Sequence, residues 1–121
     1  MLNLSHKQLD VYQLSLKLVE EIYVQTKNFP QEEKYVLVTQ LRRAAISVSS
    51  NIAEGFARKS KVEKARFLEV SRSSIVEIDT QIEIALILKY LQIDNIQHMQ
   101  VYLERCFMML SKIITSLNGS Q

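Results

Sequence analysis

The stretch Gln40-Leu41-Arg42-Arg43-Ala44-Ala45-Ile46-Ser47-Val48-Ser49-Ser50-Asn51-Ile52-Ala53-Glu54-Gly55-Phe56 narrows the choice of fold more than any other part of the chain. Leu41, Ala45, Val48 and Ile52 recur at steps of three and four, which places them on one face of a helix. The flanks of that face are small: Ala44, Ser47, Ser49, Ser50 and Ala53. A helix this lean admits neighbours on more than one side, so it belongs inside a bundle or at a contact between subunits. Arg42 and Arg43 point about 100° apart and cannot share a face. Gly55 reads as the left-handed residue that commonly ends a helix.

The rest of the chain supports helices. Two glycines and one proline in 121 residues are too few for the turns of an all-β protein. One domain of this length buries a core without disulfides or metal. The single cysteine, Cys106, has no internal partner and fits a reducing compartment. The first residues lack the charged and apolar blocks of a signal peptide. The most apolar run, Ile82 to Leu91, carries Glu83 and Lys89 and is too short to cross a bilayer. These features predict a cytoplasmic protein that does not enter the membrane.

Periodicity predicts four helices, at residues 6–27, 31–54, 60–91 and 95–117, within one domain spanning 1–121. In the first, Leu9, Tyr12, Leu16, Val19 and Tyr23 form one stripe and Val11, Leu14, Leu18 and Ile22 a second. Asn28-Phe29-Pro30 ends it, because the residue before proline leaves the helical region. Glu32 and Glu33 suit the first turn of the second helix, whose dipole is positive there. Ser60-Lys61-Val62-Glu63 is a capping box for the third, with a seam of Leu68, Ser71, Ile75, Ile78, Ile82 and Ala85. Ser71, Ser73 and Ser74 are placed to cross the small face of the second helix. Asp94 reads as the cap of the fourth, which repeats Ile96, Met99, Leu103, Cys106, Leu110, Ile113 and Leu117 before Asn118-Gly119-Ser120-Gln121 stops it. Short connections predict an all-α, antiparallel up-down-up-down four-helix bundle. Its apolar edges are wider than a monomer buries, which predicts self-association.

Catalytic chemistry finds little support. A di-iron bundle needs Glu-x-x-His pairs, and neither His6 nor His98 follows a glutamate at that spacing. Both read as surface histidines. Cys106 falls on a core position and reads as a structural thiol. Gly55 and Gly119 are isolated, so no phosphate-cradling loop is visible. The sequence therefore predicts no enzyme, no metal and no cofactor.

Charge is distributed unevenly. Arg42 to Arg72 contains eight basic and three acidic residues, whereas the remainder holds seven basic and ten acidic. Arg42, Arg43, Arg58, Lys59, Lys61, Lys64 and Arg66 are candidate nucleic-acid-binding residues, since clustered cations neutralise phosphates. Glu63 interrupts the cluster, and a solvated charged turn is the competing reading. Arg42 or Arg43 could equally bridge to Glu77, Asp79 or Glu83. Asn51 and Glu54 read either as a polar contact site or as residues that close the helix end and receive a neighbouring helix.

The residues Phe29-Pro30, Gln40-Leu41-Arg42-Arg43-Ala44-Ala45, Ser47-Val48, Asn51-Ile52-Ala53-Glu54-Gly55, Phe67-Leu68 and Ser73-Ser74 resemble a known family. It comprises small bacterial four-helix-bundle proteins named for reading frames inside intervening sequences of large-subunit ribosomal RNA genes, and it carries a ribosomal-protein label. Tyr12 and Leu14-Ser15-Leu16 are similar to its first helix. Ser49 departs from the pattern, which often has proline there. The resemblance implies a homopentamer with an axial cavity or channel, similar in architecture to the accessory protein of diversity-generating retroelements. It makes Asn51, Glu54 and Gly55 family-motif residues and ties the chain to structured ribosomal RNA. The alternative is a scaffold that docks a partner protein and has no direct role with nucleic acid. What co-purifies with untagged protein, nucleic acid or a defined polypeptide, discriminates the two.

Overall fold

The computed structural model describes residues 1–119, and over them the chain is all-α. Four helices, α1 (Asp10–Thr26), α2 (Leu37–Phe56), α3 (Lys61–Ile87) and α4 (Gln97–Gly119), pack around one apolar core as a four-helix bundle. Contact is most extensive between α2 and α3, and α1 packs on both α2 and α4. Ser15 meets Ser49, and Thr26 meets Arg42, so position rises along α1 as it falls along α2. Val48 with Ser71 and Gln40 with Gln81 relate α2 to α3 in the same sense.

Every residue of the predicted third-helix seam is buried, from Leu68 to Ala85. The second stripe of α1 (Val11, Leu14, Leu18 and Ile22) faces the core. In its first stripe Leu9, Tyr12 and Val19 lie half-buried against that core, while Leu16 and Tyr23 are exposed. On α4 the seam from Ile96 to Leu110 is buried, but Ile114 replaces Ile113 in the core near the end. A repeat of 3.6 residues drifts off a strict heptad.

Several boundaries differ from the periodicity. The first helix is interrupted at Leu9, which is extended and separates a 3-10 turn at Ser5–Gln8 from α1. His6 is buried there, edge-on to Tyr12 at 4.7 Å, and is not a surface histidine. Gln31–Glu33 form another 3-10 turn, so Glu32 and Glu33 precede α2 and do not cap it. The Glu33 carboxylate instead accepts from Tyr90 Oη at 2.8 Å. Phe29 packs against the Tyr90 ring at 5.4 Å, which clasps the α1–α2 connection to the end of α3.

Helix α3 stops at Ile87, short of Leu91, because Lys89 adopts φ 64°. Lys89 N donates to Leu86 O and Tyr90 N to Ala85 O, the paired bonds of a Schellman end. A left-handed lysine costs roughly 1–2 kcal/mol, and no glycine marks the site in sequence. Before α4 the 3-10 turn Ile93–Ile96 is capped by Gln92 and Asn95, not by Asp94: Asn95 Oδ1 accepts from Gln92 N at 2.9 Å. The cap at Ser60 is as predicted, with Oγ accepting from Glu63 N at 3.1 Å. Helix α4 continues through Gly119, and Ser120 and Gln121 of the expected stop lie outside the described residues.

Gly55 is not a left-handed terminator. Among the described residues no glycine has positive φ, and α2 passes through Gly55 to end at Phe56. A Cβ there would stand 3.1 Å from Phe67 Cβ and 3.3 Å from both Leu68 Cδ2 and Lys64 O. The close approach of α3 leaves little room for a side chain at Gly55.

Candidate nucleic-acid interface

The small residues of α2 make a polar seam between two neighbours. Ser49 Oγ pairs with Ser15 Oγ of α1 at 2.8 Å. Ser71 Oγ of α3 donates to Val48 O at 2.8 Å, and Ser74 Oγ to Ser47 Oγ at 2.9 Å. Ser73 faces solvent. Where the family pattern often has proline, Ser49 thus keeps α2 continuous and ties it to α1. Each such bond contributes about 1 kcal/mol net, while an orphaned buried hydroxyl costs about 1–3 kcal/mol, so the seam disfavours a slipped register. Asn51 Nδ2 donates to Ser47 O at 2.8 Å and to Ser47 Oγ at 3.0 Å, the same hydroxyl that receives Ser74. Glu54 is exposed.

The basic residues fall into two groups. About thirteen residues of helix separate Arg43 from Phe56, roughly 20 Å of rise, so Arg42 and Arg43 lie well away from the α2–α3 turn. Arg42 turns toward α1. Its Nε donates to Thr26 Oγ1 at 3.0 Å, Nη2 reaches Tyr23 O at 3.5 Å, and the guanidinium stacks on the Tyr23 ring at 4.3 Å. The expected bridge from Arg42 to Glu77, Asp79 or Glu83 is replaced by the last turn of α1, whose carbonyls and negative dipole end attract a cation. Arg43 is exposed.

The second group stands at the turn joining α2 to α3. Arg58 stacks on the Phe67 ring at 4.7 Å, and Lys64 Nζ lies 5.8 Å from the Phe56 ring and 3.5 Å from Phe56 O. Arg58, Lys59, Lys61 and Arg66 are exposed, and Lys64 is half-buried. Glu63 is exposed among them and supplies only its backbone N–H to the Ser60 cap. Two aromatic rings therefore hold two of the five cations in place. Arg72, which the sequence pattern does not single out, leans on the Phe107 ring at 5.9 Å and donates to Ser111 Oγ at 3.2 Å.

Tyr90 and Cys106 titrate away from their ordinary values. The hydrogen bond to Glu33 raises the Tyr90 phenol, because ionisation would place two negative charges together. Burial pushes the Cys106 thiol up to about 11, against a smaller lowering by Arg105. Such a thiol is neutral near pH 7 and a poor nucleophile. The unfolded chain releases this proton near pH 9 and the folded chain near 11, so the native state binds more protons in between and loses stability as pH rises. At about 1.4 kcal/mol per unit, the loss reaches roughly 2–3 kcal/mol by pH 11. Urea titrations at pH 8 and 10.5 should show this drop for the native chain and a smaller one for Cys106→Ala. Equal drops in both proteins would remove the thiol as its cause.

Among the described residues no three His, Cys, Asp or Glu side chains are grouped to hold a metal. Among the described residues no helix is long and apolar enough to cross a membrane.

A four-helix, all-α chain with a serine-lined central helix and a cationic turn is the class defined by this geometry. The family model for the 23S rRNA-intervening sequence protein matches residues 7–112, and the chain belongs to that family. None of the curated proteins compared with it matches. Among solved structures it is similar to a protein of unknown function from the S23 ribosomal protein family of Bacteroides thetaiotaomicron. The TM-score is 0.77 at 20% identity, covering 86% of this chain and 97% of that one. At that identity the likeness concerns the fold.

Proposed function

We propose that this protein is a non-enzymatic, antiparallel up-down-up-down bundle that assembles with its own copies, as a homopentamer, and binds structured RNA through the α2–α3 turn. The observation that carries the RNA reading is the run of cations at that turn, Arg58, Lys59, Lys61 and Lys64 with Arg66 farther along α3, in which Arg58 stacks on Phe67 and Lys64 lies beside Phe56. Cations fixed in advance lose less side-chain freedom when they meet phosphates. The family's description, tied to 23S rRNA, agrees with a polyanionic partner of that kind.

Self-association draws support from the exposed part of the first α1 stripe. Leu16 and Tyr23 on α1 and Ile46 on α2 are exposed, and Tyr12, Leu16 and Val19 line a groove with Ile46, Ser49 and Ala53. An apolar groove with a small-residue floor suits a second copy, and repetition of the patch around an axis multiplies the cationic turns.

Binding of a structured 23S rRNA fragment, measured at several salt concentrations with duplex DNA as control, tests the proposal. Replacing Arg58, Lys59 and Lys61 with alanine should weaken binding and reduce the log–log salt slope by about 2–3, close to one for each phosphate no longer neutralised. Unchanged affinity in a folded triple variant would exclude this surface.

A second reading has its own observation. Ile75, Val76, Leu103 and Phe107 form an apolar groove between α3 and α4, rimmed by Asp79 and Glu104. A partner protein with an apolar, basic helix fits such a groove, which supports a docking scaffold.

A further inference from the structure

We infer that the cleft at the end of α1 is a binding site for a terminal phosphate monoester, separate from the α2–α3 turn. The cleft, of about 210 Å³, is lined by the cations Lys27, Lys34 and Arg42 and by Phe29, Pro30 and Val38, and no carboxylate is among its lining residues. These cations come from three places: the end of α1, the turn before α2, and α2 itself. Only the fold brings them together.

Arg42 is positioned in advance. Its bonds to Thr26 Oγ1 and Tyr23 O and its stacking on the Tyr23 ring fix the guanidinium at the cleft wall. Those contacts use two of its five N–H donors. The Thr26 hydroxyl that receives Arg42 is itself fixed by donating to Ile22 O at 2.7 Å. The negative end of the α1 dipole, about half a charge, opposes an anion here. Three full positive charges outweigh it.

The ligand class follows from charge and size. A terminal phosphate monoester carries about −1.5 to −2 near pH 7 and three acceptor oxygens, so it matches three cations better than a singly charged diester. The volume admits a phosphate and part of a sugar or base against Phe29 and Pro30, but not a duplex. Such a phosphate comes either from a free nucleoside monophosphate or from the 5′ end of an RNA chain. Both present the same group.

Chemical-shift titration with adenosine 5′-monophosphate tests the first source. The second is tested by the affinities of two oligoribonucleotides of one sequence, with a 5′-phosphate or a 5′-hydroxyl. The α2–α3 turn also attracts the added charge, so the cleft's share is the part of their ratio that Lys27→Ala with Lys34→Ala removes. We expect shifts at Lys27, Lys34 and Arg42 with the mononucleotide, or roughly tenfold tighter binding of the phosphorylated RNA, the worth of a charge-assisted contact. The arm that responds names the source. Lys27→Ala with Lys34→Ala should abolish either response, and both side chains are exposed, so the fold survives their removal. Absence of shifts together with equal RNA affinities overturns the site and leaves the α2–α3 reading untouched. A response that persists in the double variant also overturns it.

Discussion

Leu68→Ala is expected to lower the free energy of unfolding by about 2–5 kcal/mol, the range for a fully enclosed leucine. Leu68 is wholly buried where α3 crosses the end of α2, with Cδ2 3.3 Å from the position a Gly55 Cβ would take. Truncation removes apolar surface and leaves a cavity that only moving a helix could fill. Helices α2 and α3 are held together by the polar seam, so collapse is incomplete. Domains of this kind hold only about 5–15 kcal/mol in total, so the change would be plain in urea unfolding followed by far-UV circular dichroism. A loss below about 1 kcal/mol would mean that the two helices close the gap.

Gly55→Val is the converse experiment, with an expected loss of about 2–3 kcal/mol from overpacking. Two of the three atoms facing the new Cβ, Phe67 Cβ and Lys64 O, belong to the frame of α3 and cannot swing aside. The added methyls must separate α2 from α3 and loosen the contacts from Ser71 to Val48 and from Ser74 to Ser47. Gly55→Ala should cost less, because alanine recovers about 1 kcal/mol of helix propensity. A stabilised valine variant would show that the approach at Gly55 is not tight. The two sites are also coupled: the space vacated by Leu68→Ala relieves the third contact. The double variant should therefore lose less than the sum of the single losses, by about 0.5 kcal/mol or more.

These two positions show how far the sequence carries. Both lie in recognisable stretches, and the burial of Leu68 follows from its period with Ser71, Ile75 and Ile78. The role of Gly55 does not. A glycine near a helix end has the same signature whether it turns the chain left-handed or lets another helix approach. Only the position of Phe67 on a different helix separates the two. Lys89 is the reverse case, a left-handed end without the residue that usually announces one, and it leads directly into Tyr90, which packs on Phe29 and bonds to Glu33.

The candidate sites divide in the same way. Arg58, Lys59, Lys61 and Lys64 are near neighbours in the chain, so their clustering was legible without a structure. Arg42 was legible as a cation but not in its direction. Its partners, Tyr23 and Thr26, come from the preceding helix, and nothing local selects them over Glu77 or Asp79. The cleft formed by Lys27, Lys34 and Arg42 could not be read at all, because its members belong to three elements.

What the sequence determined by itself is the number of helices, the apolar faces they bury and the small-residue seam along α2. Those follow from a period of 3.6 residues and from side-chain size, both local properties. The tertiary structure alone decided which serine meets which, how closely α3 approaches Gly55, and where Arg42 is held. Each of these depends on a distance between segments far apart in the chain, which local physics does not specify.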